Sequence, residues 1–325
     1  MHEREQFERL LSSVSKIREA LSRRIVGQDD VISDLLACFL SGGHSLLIGV
    51  PGLAKTMLIQ SLASCLDLKF NRVQFTPDLM PSDITGSEIL QEDKTTGSRV
   101  FRFVPGPIFN NIVLADEINR TPPKTQAALL QAMQECQVTI SGQTYDLPRP
   151  FWVLATQNPI EQEGTYPLPE AQQDRFMFSI EMDYPDYAAE LQIVKTAISR
   201  QGITLSSVCS LEELSLFQEF VWSIPIADSV VAAAVSLVRS TRPDDPACPQ
   251  DVKSLLAWGA GPRASQFLVL AVKAYAILDK RPTPDLSDVK RAAYPVLRHR
   301  LVRSFHAEVD NVSQNDIIEM LLKRL

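Results

Sequence analysis

The stretch Gly49-Val50-Pro51-Gly52-Leu53-Ala54-Lys55-Thr56 decides the fold of this 325-residue chain. Upstream of it, His44-Ser45-Leu46-Leu47-Ile48-Gly49 is a short apolar run of the kind that forms a buried strand. Downstream, Thr56 to Cys65 has helical spacing. A glycine-bearing turn between strand and helix gathers consecutive backbone N–H groups and a helix N-terminus, a fixed positive field suited to phosphate. Lys55 would reach the β- and γ-phosphates of a nucleotide, and the Thr56 hydroxyl would ligate Mg2+. Gly49, Gly52, Leu53, Ala54, Lys55, Thr56 and Met57 are therefore the candidate cradle. The general pattern has glycine where Ala54 stands; alanine keeps the N–H and adds one methyl group. The competing reading is an ordinary strand–turn–helix corner.

Further apolar runs lie at Phe70 to Phe75, Val113 to Asp116, Phe151 to Thr156 and Phe176 to Ile180, with helical patterns such as Thr125 to Glu135 between them. Such alternation predicts an α/β fold, a parallel sheet with helices on its faces. Residues 5–23 read as an amphipathic helix, and a second helix runs to Leu40 and stops at Ser41-Gly42-Gly43. Between these helices, Ile25-Val26-Gly27-Gln28 either lines an adenine pocket, with Val26 as the contact, or merely joins two helices. After Asp183-Tyr184-Pro185-Asp186 only helical periodicity remains, over 187–200, 211–222, 227–240, 251–260, 264–280, 286–299 and 314–324, with Ser313 and Asp316 as a capping box for the last. The chain thus divides into an α/β part, residues 1–183, and an all-helical part, residues 184–325.

Asn111-Ile112-Val113-Leu114-Ala115-Asp116-Glu117 is an apolar strand ending in two carboxylates. Strand carboxyl ends face the ligand crevice in parallel sheets, so a strand neighbouring the phosphate-loop strand would bring both acids to the nucleotide. Asp116 would hold Mg2+, and Glu117 would act as general base toward the attacking water. One acid at a strand end is often merely solvated; a pair following a phosphate loop is harder to read that way.

Four motifs in order now carry a family resemblance: the loop at 49–56, Leu114-Ala115-Asp116-Glu117-Ile118-Asn119-Arg120, Ala155-Thr156-Gln157-Asn158-Pro159, and Leu168-Pro169-Glu170-Ala171-Gln172-Gln173-Asp174-Arg175-Phe176. Together they resemble the MoxR-type AAA+ ATPases over about residues 20–300, and Ala54 is similar to that family's own form of the loop. The resemblance implies an AAA+ P-loop sheet domain followed by an all-α lid, ATP and Mg2+ as ligands, and a homo-oligomeric ring, with six subunits favoured. It makes Asn158 the sensor-1 residue, which orients water beside the acids, and Arg175 an arginine finger donated to the neighbouring subunit's nucleotide. It makes Arg263, in Gly261-Pro262-Arg263-Ala264-Ser265, the sensor-2 residue that couples lid position to nucleotide state. Without it, Asn158 reads as a turn cap before Pro159, Arg175 as an ion-pair partner of Asp174, and Arg263 as an ordinary first-turn arginine. The family works beside partners with von Willebrand factor A domains. Its wider clade projects inserts toward the ring centre, and the polar segment Thr76 to Phe103 and the hairpin-like Val138 to Leu147 fit that description; surface excursions are the plainer reading.

Composition narrows the function. The net charge of −7 and pI near 5.3 argue against a duplex-binding motor, which needs a basic tract, so nucleic acid is not the expected partner. The five cysteines form no Cys-x-x-Cys pair and the four histidines no metal-ligand spacing. The polar N-terminus is no signal peptide, and no run of 18 apolar residues occurs, which predicts a soluble cytoplasmic protein without a membrane span. The leading expectation is an ATPase that uses ATP-driven changes between its two parts to remodel or activate partner proteins, in maturation or cofactor insertion. A metal-chelatase motor subunit, a nucleic-acid-linked AAA+ motor and a nucleotide switch without turnover are the alternatives; Glu117, Asn158 and Arg175 argue against the last.

Overall fold

The computed structural model describes residues 2–92, 99–161, 164–199 and 206–325. Five strands, β1 (Ser45–Gly49), β2 (Phe70–Gln74), β3 (Ile112–Asp116), β4 (Trp152–Gln157) and β5 (Phe178–Met182), form one sheet in the order β2-β3-β4-β1-β5. All four pairings are parallel. Parallel strands need covered faces, and β3 is buried along its whole length. Alternate residues serve opposite faces. Leu47, Leu114 and Leu154 join one apolar cluster, while Leu46, Val113 and Val153 join the other.

The strand order corrects one expectation. β3, which carries the acid pair, does not neighbour β1; β4 lies between them, so the sensor-motif strand sits beside both. Crossover connections set this order, and they leave no local trace in the sequence.

Beyond β5 the chain is chiefly helical: Tyr187–Ser199, Leu211–Ser223, Asp228–Ser240, Pro262–Leu278, Leu286–Leu297 and Gln314–Leu322 are its longer helices. Ser313 and Asp316 form the expected capping box of the last. The helix expected over 251–260 is corrected. It ends at Lys253, and Leu256–Trp258 pairs antiparallel with Val302–Arg303. That partner is remote in sequence, so helical periodicity could not reveal it, and a short helix at Phe305–Val309 follows. Residue 200 lies outside the described residues.

The first apolar cluster continues from the sheet part into the helical part without a break, taking in Leu10, Phe39 and Phe178 as well as Leu268, Tyr275 and Leu321. Helix Pro262–Leu278 packs on helix Asp29–Leu40. There the Tyr275 hydroxyl donates to Asp34 Oδ1 at 2.6 Å. Burial raises the Asp34 carboxyl from its ordinary 3.8 to about 6, against the opposing pull of the Tyr275 hydrogen bond, Arg291 and Arg298. Burial likewise pushes the Cys38 and Cys209 thiols up to about 12, and all five cysteines are free, which leaves these two unreactive.

The segment 76–103 contains a short helix, Pro81–Thr85, and the start of an antiparallel hairpin, Gly86–Glu92 with Arg99–Pro105; residues 93–98 lie outside the described set. A second hairpin joins Gln137–Ile140 to Gln143–Asp146, as its alternating pattern predicts. The two excursions touch, because the Phe103 ring stacks on Tyr145 with centroids 4.2 Å apart. Ile89, Leu90 and Phe101 remain exposed on the longer hairpin. Among the described residues, no single helix is long and apolar enough to cross a membrane.

Candidate active site

The phosphate loop leaves the carboxyl end of β1 and enters helix Lys55–Cys65. Gly52 (φ +89°) and Ala54 (φ +58°) both take left-handed backbone. For Ala54 this costs about 1–2 kcal/mol relative to right-handed geometry, the strain that glycine would avoid. The helix starts without a side-chain cap and without an acid in its first turn, so its leading N–H groups are open to an anion. A Cβ on Gly49 would stand 2.8 Å from Met182 O, so that position admits no side chain. Leu53 is buried beneath the loop, Thr56 is half-buried and Met57 faces outward.

Lys55 Nζ donates to the loop carbonyls Gly49 O and, at 3.3 Å, Val50 O. Burial lowers its pKa, and the charges of Asp116 and Glu117 pull it back up. Across the edge, Asp116 Oδ2 accepts from Arg72 Nε at 2.9 Å and Nη2 at 2.6 Å, and its Oδ1 accepts from Thr156 Oγ1 at 2.6 Å. Thr156, buried on β4, also accepts from the Glu117 backbone N–H at 2.8 Å. Glu117 itself is left-handed (φ +58°), and its Oε2 accepts from Gln74 Nε2 at 2.7 Å and Arg120 Nη1 at 2.9 Å. Asn158 is buried at the end of β4; its Oδ1 accepts from Ile160 N at 3.2 Å, closing the turn around Pro159. On the other side of the loop, Gln28 Nε2 donates to Asp183 O, and Gly27 lies against Pro185 and Ala189. This sets half-buried Val26 beside the carboxyl end of β5.

One edge of the sheet therefore gathers Val26, the loop, Lys55, Thr56, Asp116, Glu117 and Asn158. Arg175 and Arg263 are not among them. Met177 N donates to His44 O, ahead of β1, so the segment that carries Arg175 runs along the opposite edge. The two edges are about 13 Å apart, beyond the reach of an arginine side chain. Arg175 does not pair with Asp174; its Nη1 donates to Leu130 O at 2.7 Å. Asp174 instead receives Arg263 (Nη1 to Oδ2, 3.0 Å) and Arg300 (Nε to Oδ1, 2.7 Å). Arg72 and Arg300 lie outside every motif, and Arg120 and Thr156 stand in motifs without a role of their own, because the bonds that give them one become visible only in the fold.

The donor set fits a magnesium–nucleotide complex: open N–H groups, one lysine, a hydroxyl, two carboxylates and a carboxamide on one edge. Thr56 and Asp116 are the residues that would hold the metal, which would supply charge neutralisation at the phosphate oxygens.

Comparison with known proteins agrees. Residues 44–178 match the ATPase family associated with various cellular activities (AAA), and residues 249–321 match the AAA lid domain. The chain is 41% identical over 322 residues to Chaperone MoxR1 of Mycobacterium tuberculosis, covering 97% of this chain and 83% of that protein. It is 30% identical over 301 residues to Protein MoxR of Paracoccus denitrificans, covering 88% and 87%. A crystal structure of a Cytophaga hutchinsonii protein superposes with a TM-score of 0.91 at 39% identity, covering 99% of this chain and 97% of that one. Sequence, topology and relatives converge, and this chain belongs to the MoxR-type AAA+ ATPases.

Proposed function

We propose that the chain hydrolyses ATP at the interfaces of a homo-oligomeric ring, hexameric by family resemblance, and uses turnover to remodel or activate partner proteins. The observation that carries this reading is the split of the site over two edges. One edge offers the phosphate loop and the acid pair, and the other offers Arg175 and Arg263. Head-to-tail packing of identical subunits brings unlike edges together, and it closes into a ring where the rotation between subunits permits. In this scheme Lys55 and the loop N–H groups bind the phosphates, and Thr56 and Asp116 hold Mg2+. Glu117 takes a proton from the attacking water, Asn158 orients that water, and Val26 lies against the adenine. Arg175 and Arg263 of the adjacent subunit stabilise charge on the transferring phosphoryl oxygens.

The relative named a chaperone supports protein remodelling, and the exposed apolar hairpin residues Ile89, Leu90 and Phe101 offer a client-facing surface. A von Willebrand factor A-domain protein is the partner class that the family resemblance favours, with residues 1–183 acting as the motor part, 184–325 as the lid, and the cytoplasm as the site of action. The test mixes Arg175→Ala with Glu117→Gln subunits. Each variant alone should be inactive, and mixed rings should recover turnover, one subunit lending its arginine and the other its base. Mixed rings that form but stay inactive would refute a shared site.

A further inference from the structure

Asp174 has a place in this arrangement that the motif reading does not assign. Its carboxylate serves two guanidiniums of different character. Arg300 is buried, and all three of its guanidinium nitrogens are bonded. Beyond Asp174 Oδ1 it donates to the backbone carbonyls of Asp174, Phe176, Met177 and Val296, and it lies over the Phe267 ring at 5.1 Å. Arg263 is the more exposed partner, with 39% of its side chain accessible, and its one described side-chain bond is to Asp174. The residue after Asp174 is Arg175. Asp174 therefore ties helix Pro262–Leu278 to the backbone from which Arg175 projects.

We propose that Asp174 is a positioning residue: anchored by Arg300, it holds Arg263 beside Arg175 so that both arginines meet the adjacent subunit's nucleotide together. This rests on the shared-site reading above. Arg300 needs a counter-charge whether or not Arg263 is engaged, since a buried guanidinium left unpaired is costly. Asp174 supplies that charge permanently, so Arg263 can pass to a phosphate without stranding Arg300. An amide at 174 would still accept hydrogen bonds but would balance neither charge.

The experiment uses Asp174→Asn, Arg263→Ala and the double variant in full-length protein, with fluorescent ATP-analogue binding and phosphate release measured together. Asp174→Asn should leave nucleotide affinity within twofold and lower kcat about tenfold or more, the loss of one well-held charge-assisted contact. Compared per folded molecule, with a thermal melt to report the loss of Arg300's counter-charge, the double variant should be no slower than Arg263→Ala alone, because both changes disable one unit. Mixing Asp174→Asn with Glu117→Gln subunits should restore turnover, since the asparagine subunit keeps its base and its partner keeps both arginines. Multiplicative losses in the double variant, wild-type turnover in Asp174→Asn, or no rescue in the mixture while Arg175→Ala with Glu117→Gln is rescued would each overturn the proposal. Failure of that Arg175→Ala mixture as well would remove the shared site itself, and Asp174's role with it.

Discussion

Replacing Thr156 by valine keeps the shape of the side chain and removes only its hydroxyl. That hydroxyl is buried, donates to Asp116 Oδ1 at 2.6 Å and accepts from Glu117 N at 2.8 Å. Losing the first bond forfeits a contact to a charged group, worth about 1.5–3 kcal/mol, and the second leaves a backbone donor unsatisfied, costing about 1–3 kcal/mol. Glu117 sits at φ +58°, a conformation that costs about 1–2 kcal/mol and that the Thr156 bond helps to hold. The combined loss, about 2.5 kcal/mol at its low end, loosens both acids: Asp116 loses a donor, and the Glu117 backbone loses the bond that helps to hold its strained geometry. Expressed at the chemical step, this lowers kcat by roughly 50- to 100-fold. Phosphate release at saturating Mg-ATP measures it, with nucleotide affinity and a thermal melt recorded in parallel. Thr156→Ser, which keeps the hydroxyl, should stay within about threefold of wild type. Wild-type turnover in the valine variant would refute the reasoning, as would parallel loss of binding and turnover.

Other expectations follow from the same geometry. Lys55→Ala should abolish nucleotide binding, and Glu117→Gln should bind ATP without hydrolysing it; equilibrium binding beside phosphate release separates the two. Ala54→Gly should leave melting temperature and nucleotide affinity nearly unchanged, because relief of the left-handed strain, about 1 kcal/mol, is offset by the added freedom of glycine in the unfolded chain. Asp34 has a raised folded-state pKa, so its contribution to stability is fully present below about pH 3.8 and lost as pH rises through about 6. Asp34→Asn should therefore raise the unfolding free energy from urea melts at pH 8 by up to about 3 kcal/mol, with the advantage vanishing near pH 4. An advantage independent of pH would assign the effect to packing instead.

The phosphate edge was legible because its parts are local. A strand, a turn and a helix occupy consecutive residues from Ser45 to Cys65, and the acid pair ends an unbroken apolar run. The five strands announced themselves for the same reason. What stayed hidden depends on partners distant in sequence. The insertion of β4 between β1 and β3 is a property of crossovers, and the Leu256–Trp258 strand exists because Val302–Arg303 reaches it. Thr156 was visible as a letter in a motif, but its two bonds to the acid pair needed the β3–β4 register. The motif around Arg263 marks a lid residue that answers to nucleotide state, but that helix Pro262–Leu278 begins beside Asp174, on the far edge, depends on a partner 89 residues away.

The unbroken cluster from Leu10 to Leu322 also bears on how force leaves the molecule. Peeling helix Pro262–Leu278 from helix Asp29–Leu40 would bare leucines, valines and aromatic rings at about 1.5–3 kcal/mol each, so a handful of them matches the whole stability of an ordinary domain. A joint that stiff would resist flexing on every cycle, against the expectation of ATP-driven changes between the two parts. In the proposed ring the compliant elements would then be the seams between subunits, and each subunit would rock against its neighbours as a solid lever, with its two hairpins as the tip.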